Sequence, residues 1–183
     1  MRRSIRSTLA ALALVTATLG HAHPEVGAIP SDDLGHDRDG HDVRVSSLHG
    51  KVVIVSFWAS WCGYCRKELP VLAALQKLKG TTDLQVVGVN HDDDYAAFKD
   101  LRNRWKNLDI ILTYDPPDGR IGKPYDIKSL PFMVMIGRDG RIAHVYTGYD
   151  ENMLDTIMSD VDDLLAQPAP RAPTATASQP ASS

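Results

Sequence analysis

Cysteine is nearly absent from this chain: its 183 residues hold two, Cys62 and Cys65. Both lie in the stretch FWASWCGYCRKELP, residues 57–70, with Gly63 and Tyr64 between them. So small a number excludes a fold stapled by several disulfides. An excess of positive charge is also lacking. Lysine and arginine number 20 against 23 acidic residues, a formal net charge of −3, which speaks against a nucleic-acid partner. The N-terminal apolar run, residues 9–19, falls well short of the roughly 20 residues needed to span a bilayer. No phosphate loop, flavin motif or serine–histidine–aspartate order is present.

The short apolar run reads as the centre of a leader. MRRSIRSTLAALALVTATLGHAHPE opens on Arg2, Arg3 and Arg6 and closes on small residues, with Gly20 and Ala22 at the −3 and −1 positions of a cleavage site. The expectation is a signal peptide over residues 1–22, export to the periplasm, and no membrane insertion after cleavage. No cysteine follows the run to carry a lipid. Losing residues 1–22 removes three arginines and no acids, which takes the net charge from −3 to −6. At the other end, QPAPRAPTATASQPASS (167–183) has no periodic apolar face and is expected to be a disordered tail. The globular domain is expected over 23–166.

Within it, KVVIVSFWA (51–59) is a continuous β-branched and aromatic run, the mark of a strand buried on both faces. The period then changes. Leu69, Leu72, Leu75 and Leu78 recur among Lys67, Gln76, Lys77 and Lys79, which predicts an amphipathic helix entered near Cys62, bent at Pro70 and ended by Gly80. DLQVVGVN (83–90) is a second buried strand. The aspartates of DDDYAAFKDLRNRWKN suit a helix cap, with Tyr95, Phe98, Leu101 and Trp105 at helical spacing. IILTYDPPDGR adds a short strand and turn, and PFMVMIGRDGRIAHVYTG is a hairpin across Asp139-Gly140. A last helix spans about 151–166, and VRVSSLHGK supplies a small strand or hairpin ahead of the first core strand. Strand–helix–strand–helix order implies right-handed crossovers and a parallel sheet. With the closing hairpin and helix it makes an α/β, thioredoxin-like arrangement: a central mixed sheet flanked by helices, with an N-terminal extension.

The cysteine pair admits several roles. As a staple it would close a ring of four residues, which removes about 2 kcal/mol of unfolded-state entropy against about 5 for a hundred-residue loop. A zinc site needs four ligands, and only His36 and His41, in an aspartate-rich turn, are spaced to add two. No metal is therefore assigned. Copper(I), which accepts fewer and softer ligands, stays compatible with the two sulfurs. The reactive-dithiol reading has a mechanism. Cys62 falls where a strand gives way to a helix, so its sulfur faces unpaired amides and the positive end of the helix dipole, which favours thiolate. Cys65, one turn on, can resolve a mixed disulfide.

VIVSFWASWCGYCRKELPVLAAL resembles the active-site segment of the TlpA/ResA-type thioredoxin-like proteins, whose pattern is Trp-Cys-x-Pro-Cys-(Arg/Lys)-x-Glu-x-Pro. YDIKSLPFMVMIGRDGRI resembles their second signature, a proline loop before a hairpin, and VVGVNHDDDYAAFKD the segment between. The resemblance covers about residues 25–166. It implies a thioredoxin fold and thiol–disulfide exchange in the periplasm, without cofactor beyond the redox-active Cys62–Cys65 pair. Its expected partners are protein disulfides, including those of cytochrome c maturation, and a membrane thiol relay as electron donor. Cys62 takes the attacking position and Cys65 the resolving one. Pro131 matches the cis-proline facing the dithiol, with an ordinary turn as the alternative, and Leu130 would pair with an extended substrate. Trp61 is either a packing residue or a substrate contact. Glu68 is either a proton carrier for the thiols or a solvated residue near a lysine.

Three positions depart from the pattern. Tyr64 replaces proline, giving the Gly-Tyr dipeptide of DsbC-type isomerases, so oxidase or isomerase action remains an alternative to reduction; Tyr64 is placed with the substrate contacts. Ser56 stands where thioredoxin has a buried aspartate, and Leu130 where many relatives have threonine. His23, His36, His41, His49 and His91 read as solvated surface. The Pro-x-x-x-Thr-x-x-Cys signature of peroxidases on this fold is missing.

Overall fold

The computed structural model describes residues 24–169; the expected leader and all but the first three residues of the expected tail lie outside them. In chain order the strands are β1 (Asp33–His36), β2 (Asp42–Arg44), β3 (Val52–Trp58), β4 (Leu84–Asn90), β5 (Ile111–Tyr114), β6 (Phe132–Ile136) and β7 (Ile142–Thr147). The helices are α1 (Cys65–Lys79), α2 (Tyr95–Arg104) and α3 (Met153–Ala166). Strands β3 to β7 form one mixed sheet in the order β5-β4-β3-β6-β7, and β1-β2 is a separate hairpin. The β3–β4 and β4–β5 pairs are parallel, while β3–β6 and β6–β7 are antiparallel. This is the thioredoxin-like fold expected.

Every residue of β3 and β4 is buried. The pleat sends alternate side chains to opposite layers. Val53, Val55 and Phe57 join Val87, Val89 and Val134 under the β1-β2 hairpin, with Leu34 and Ile121. Val52, Ile54 and Val86 face the other way, against Leu72 and Leu75 of α1 and Ile157 and Val161 of α3. Trp58, on that same side, packs with Leu69, Phe98 and Leu101. Two successive right-handed crossovers travel the same way across the sheet and so leave α1 and α2 on one face; α3 joins them.

Three local expectations change. Leu69, Leu72 and Leu75 are buried, but Leu78 is 72% exposed. Steps of three residues fall about 60° short of a full helical turn, so Leu78 arrives on the face opposite Leu69. Gln76 is buried in its place. Its Oε1 accepts the Val86 amide at 2.6 Å and the Gln85 side chain at 3.1 Å, and its Nε2 donates to the Asp109 carbonyl. The third concerns VRVSSLHGK, which supplies a strand of the expected N-terminal hairpin through only two of its residues. Its Val43 and Arg44 close a hairpin that begins upstream, while Val45–Leu48 forms a 3-10 turn. The hairpin bend is set by Asp37, whose Oδ1 accepts the Asp39 and His41 amides at 2.8 and 2.9 Å. Elsewhere the aspartate cap holds: Asp94 Oδ1 accepts the Ala97 amide at 2.8 Å.

The hairpin meets the sheet edge at Gly35, whose φ is +89°. A methyl there would lie 3.1 Å from Ile121 Cδ1 and 3.2 Å from the Tyr114 carbonyl oxygen. Gly35→Ala is expected to cost about 3 kcal/mol, combining left-handed strain with overpacking. Gly40→Ala, with φ of +88° and nothing within 4 Å of the new methyl, should cost about 1 kcal/mol. Urea unfolding of both variants measures the difference, and equal losses would contradict the close approach.

Candidate active site

At the end of β3 the chain makes a tight turn, closed by the Cys62 amide donating to the Ala59 carbonyl at 3.1 Å. Ser60 and Trp61 are its central residues. The first turn of α1 follows, with the Arg66 amide on the Cys62 carbonyl at 3.3 Å. Cys62 and Cys65 form a disulfide, with Cα atoms 5.3 Å apart. The Cys65 amide donates to Cys62 Sγ at 3.1 Å, so the Cys62 sulfur faces the first amide of α1. In the reduced chain that donor favours the thiolate. Both cysteines are buried, whereas Trp61 and Tyr64 are 62% and 61% exposed. Trp61 is therefore no packing residue. Its indole donates to the Asp92 carbonyl at 3.5 Å.

Glu68 is 1% exposed, which overturns the solvated alternative. Three residues past Cys65, it shares that residue's helix face and points at β3, where Ser56 Oγ donates to its Oε2 at 2.8 Å. Burial pushes its carboxyl up to about 7, with the Ser56 hydrogen bond pulling weakly the other way. The neighbouring Lys67 turns outward and lies 3.9 Å from Glu151.

The Leu130–Pro131 peptide is cis. Phe132 pairs with Phe57, so the register sets Pro131 beside Trp58, at the edge from which the cysteine turn departs. The Pro131 carbonyl accepts the Gly148 amide at 2.8 Å. Leu130 packs against the cluster of Trp58, Ala59, Cys62, Cys65 and Leu69. Among the described residues its own amide and carbonyl have no hydrogen-bond partner. The structure thus brings Trp61, Cys62, Tyr64, Cys65, Glu68, Leu130 and Pro131 to one edge of the sheet.

The histidines divide. His36 and His41 pair with different aspartates, Asp42 at 3.0 Å and Asp37 at 3.2 Å. His41, Asp37 and Asp39 do lie close enough to share an ion, but Asp37 is already committed to the hairpin bend. His91 is not solvated surface as expected. It bonds Asp115 Oδ2 at 2.7 Å and stands edge-on to Phe57. Asp115, buried, also accepts the Ile121 and Gly122 amides at 3.0 Å each. Asp93 is a second residue that sequence reasoning passed over: its carboxylate holds Ser60 and Asn90. Only its place in an aspartate run marks it, and that run reads as capping.

A buried acid with a raised pKa destabilises the folded chain where it must ionise. The folded state keeps the proton to higher pH than the unfolded one, so stability is greatest below about 4.5 and falls as pH rises through about 7. Glu68→Gln keeps an acceptor for Ser56 and removes the charge. It is expected to stabilise by about 3 kcal/mol at pH 8 and by nothing at pH 4. Urea titrations of the disulfide form at both pH values test this; a gain independent of pH would sink it.

The redoxin family profile matches residues 24–165. The thiol–disulfide oxidoreductase ResA of Bacillus subtilis is 28% identical over 130 residues, 70% of this chain and 69% of that protein. The ResA of Geobacillus kaustophilus is 26% identical over 123 residues, 67% and 70% of the two chains. Among solved structures, a putative thiol:disulfide interchange protein DsbE from Chlorobium tepidum superposes with a TM-score of 0.67 at 25% identity, covering 79% of this chain and 99% of its own. A putative protein disulfide isomerase from Bacteroides thetaiotaomicron gives 0.67 at 27% identity, covering 78% and 91%. With its close cysteine pair on a thioredoxin-like sheet, the chain belongs to the redoxin family.

Proposed function

We propose that this chain, a thiol–disulfide oxidoreductase, is exported to the periplasm and there reduces disulfides of other exported proteins. The observation that carries the direction is Glu68, a carboxyl buried on the face of Cys65. When ionised, it disfavours a thiolate beside it and so favours the disulfide over the dithiol, which makes the dithiol the stronger reductant. The leader read at residues 1–22 supports export. Among the described residues no helix is long and apolar enough to cross a membrane.

In the proposed cycle the Cys62 thiolate attacks one sulfur of the substrate disulfide. That bond breaks, and the released substrate thiolate takes a proton from water. Cys65 then gives its proton to the Glu68 carboxylate and attacks Cys62 Sγ. The mixed disulfide breaks, the second substrate thiolate leaves, and the proton on Glu68 passes to it. Two electrons have moved from the Cys62 thiolate and Cys65 thiol to the substrate, with one proton from Cys65 and one from water, leaving the Cys62–Cys65 disulfide. The exposed Trp61 and Tyr64 would cover the substrate, and Leu130 would pair with its extended backbone beside Pro131. Turnover requires a thiol donor, for which a membrane thiol relay is the natural source outside the cytoplasm. A cysteine pair of a cytochrome awaiting haem is one substrate that fits.

The reduction potential of the Cys62–Cys65 pair, from equilibration in glutathione or dithiothreitol buffers, is expected near that of thioredoxin, about −270 mV. A value of about −120 to −180 mV would instead mark an oxidant or isomerase. Cys62→Ser should abolish insulin reduction by the metal-free protein. Cys65→Ser should accumulate a mixed disulfide visible on a non-reducing gel. A stable copper(I) complex without insulin turnover would replace the catalyst by a carrier.

A further inference from the structure

Asp93 sits between β4 and α2, after Asp92, whose φ is +86°, and before Asp94, the cap of α2. Its carboxylate collects three donors: the Ser60 amide at 2.6 Å, the Ser60 hydroxyl at 2.7 Å and the Asn90 side-chain amide at 2.6 Å. Its backbone carbonyl accepts the Tyr114 hydroxyl at 3.1 Å. Asn90 ends β4 and is fully buried, and Tyr114 ends β5. Asp93 is thus anchored on the sheet, and from there it grips a residue 33 positions away in the chain. Capping of α2 does not explain this, because Asp94 supplies the cap.

The residue gripped lies in the turn that delivers the attacking sulfur. Ser60 and Trp61 occupy the centre of the 59–62 turn, and the carbonyl of Asp92 faces the Trp61 indole at 3.5 Å. The course of this turn decides whether Cys62 Sγ stays 3.1 Å from the Cys65 amide. In the disulfide form the S–S bond holds the two sulfurs together. Once it is reduced, that tie is gone, and the turn, the Cys65 amide and the packing around Trp58 and Leu69 hold Cys62 in place.

We propose that Asp93 is the positioning residue of the attacking cysteine, tying the 59–62 turn to the end of β4 so that the reduced Cys62 sulfur stays on its amide donor. The inference rests on the dithiol reading above. The carboxylate exerts two opposed effects on Cys62. Its negative charge disfavours a nearby thiolate, while its hydrogen bonds preserve the geometry that stabilises one. Three hydrogen bonds point donor dipoles at that charge and partly offset its field, and the geometric effect is taken as the larger.

Two substitutions separate the effects. Asp93→Ala removes both charge and tie; Asp93→Asn removes the charge and leaves an acceptor for the Ser60 amide. The full chain and its variants would be equilibrated with glutathione, and the reduced forms alkylated with iodoacetamide at pH 7. For Asp93→Ala we expect alkylation about tenfold slower and an equilibrium shifted about tenfold toward the disulfide, about 30 mV more negative. Asp93→Asn should stay within about threefold of the parent. The double variant Ser60→Ala/Asp93→Asn, left with one neutral bond to the turn, should fall between them, and it decides alone if Asp93→Ala does not fold. Unchanged potentials and rates in the folded variants would overturn the proposal, as would faster alkylation in both Asp93→Ala and Asp93→Asn. A parent chain that does not equilibrate with glutathione at all would overturn the dithiol reading instead.

Discussion

Because every residue of β3 from Val52 to Trp58 is buried, the pleat assigns each side chain to one of two packed layers and leaves no freedom of register. Val53, Val55 and Phe57 must face the hairpin side, and Val52, Ile54, Ser56 and Trp58 the side of α1. A slip by one residue would turn Ser56 toward the layer of Leu34, Val87 and Val134 and Phe57 toward α1. Ser56 therefore has one place to go, and it is opposite Glu68. The same register decides where Trp58 ends the strand, hence where the cysteine turn begins. Pairing with β4 and β6 through Asn90 and Phe132 brings the 91–94 loop and the cis-proline loop to that edge.

Helix α1 then places two opposite electrostatic conditions one turn apart. At its start, the Cys65 amide points at the Cys62 sulfur, and free amides and the helix dipole favour negative charge there. One turn on, burial holds the Glu68 carboxyl at about 7, so near neutral pH it exchanges a proton readily. In the proposed cycle the first condition favours a thiolate at Cys62, and the second supplies a carboxylate to take the Cys65 proton. An ionisable group without a basic partner at 1% exposure costs stability. The hydrogen bond it accepts from Ser56 offsets only part of that. Such a cost at a core position is the pattern expected of chemistry rather than of packing.

What the sequence made legible was mostly local. The strand at 51–59, the dithiol at the helix entrance, the aspartate cap of α2 and the hairpin at Asp139-Gly140 each depend on neighbours a few residues away. Leu78 failed because a spacing of three imitates helical periodicity over two turns and drifts off it by the third. Gln76 was assigned to the polar face by type, yet a buried amide is acceptable where three hydrogen bonds meet it, and two of its partners lie on β4. His91 looked solvated because Asp115, 24 positions on, gives no sign of it in the sequence. The roles of Glu68 and Trp61 stayed open for the same reason: exposure is a tertiary property, and it separated them in opposite directions.

The non-local parts of the site share one origin. Parallel strands β3 and β4 end at the same edge, and the antiparallel β6 begins there, so the 59–62 turn, the 91–94 loop and the 130–131 loop meet although they are 30 to 70 residues apart. Only the first carries sulfur. The others act on it through the Asp93 carboxylate and the packing of Leu130, contacts that bear on geometry and desolvation but not on which bonds break. Exchange as such therefore depends on the two cysteines, while the equilibrium between dithiol and disulfide depends also on their surroundings: Glu68 of α1 and the residues brought in by the sheet. The sensitivity is high: a hydrogen bond or charge worth about 1.4 kcal/mol moves such a couple by about 30 mV without altering the nucleophile.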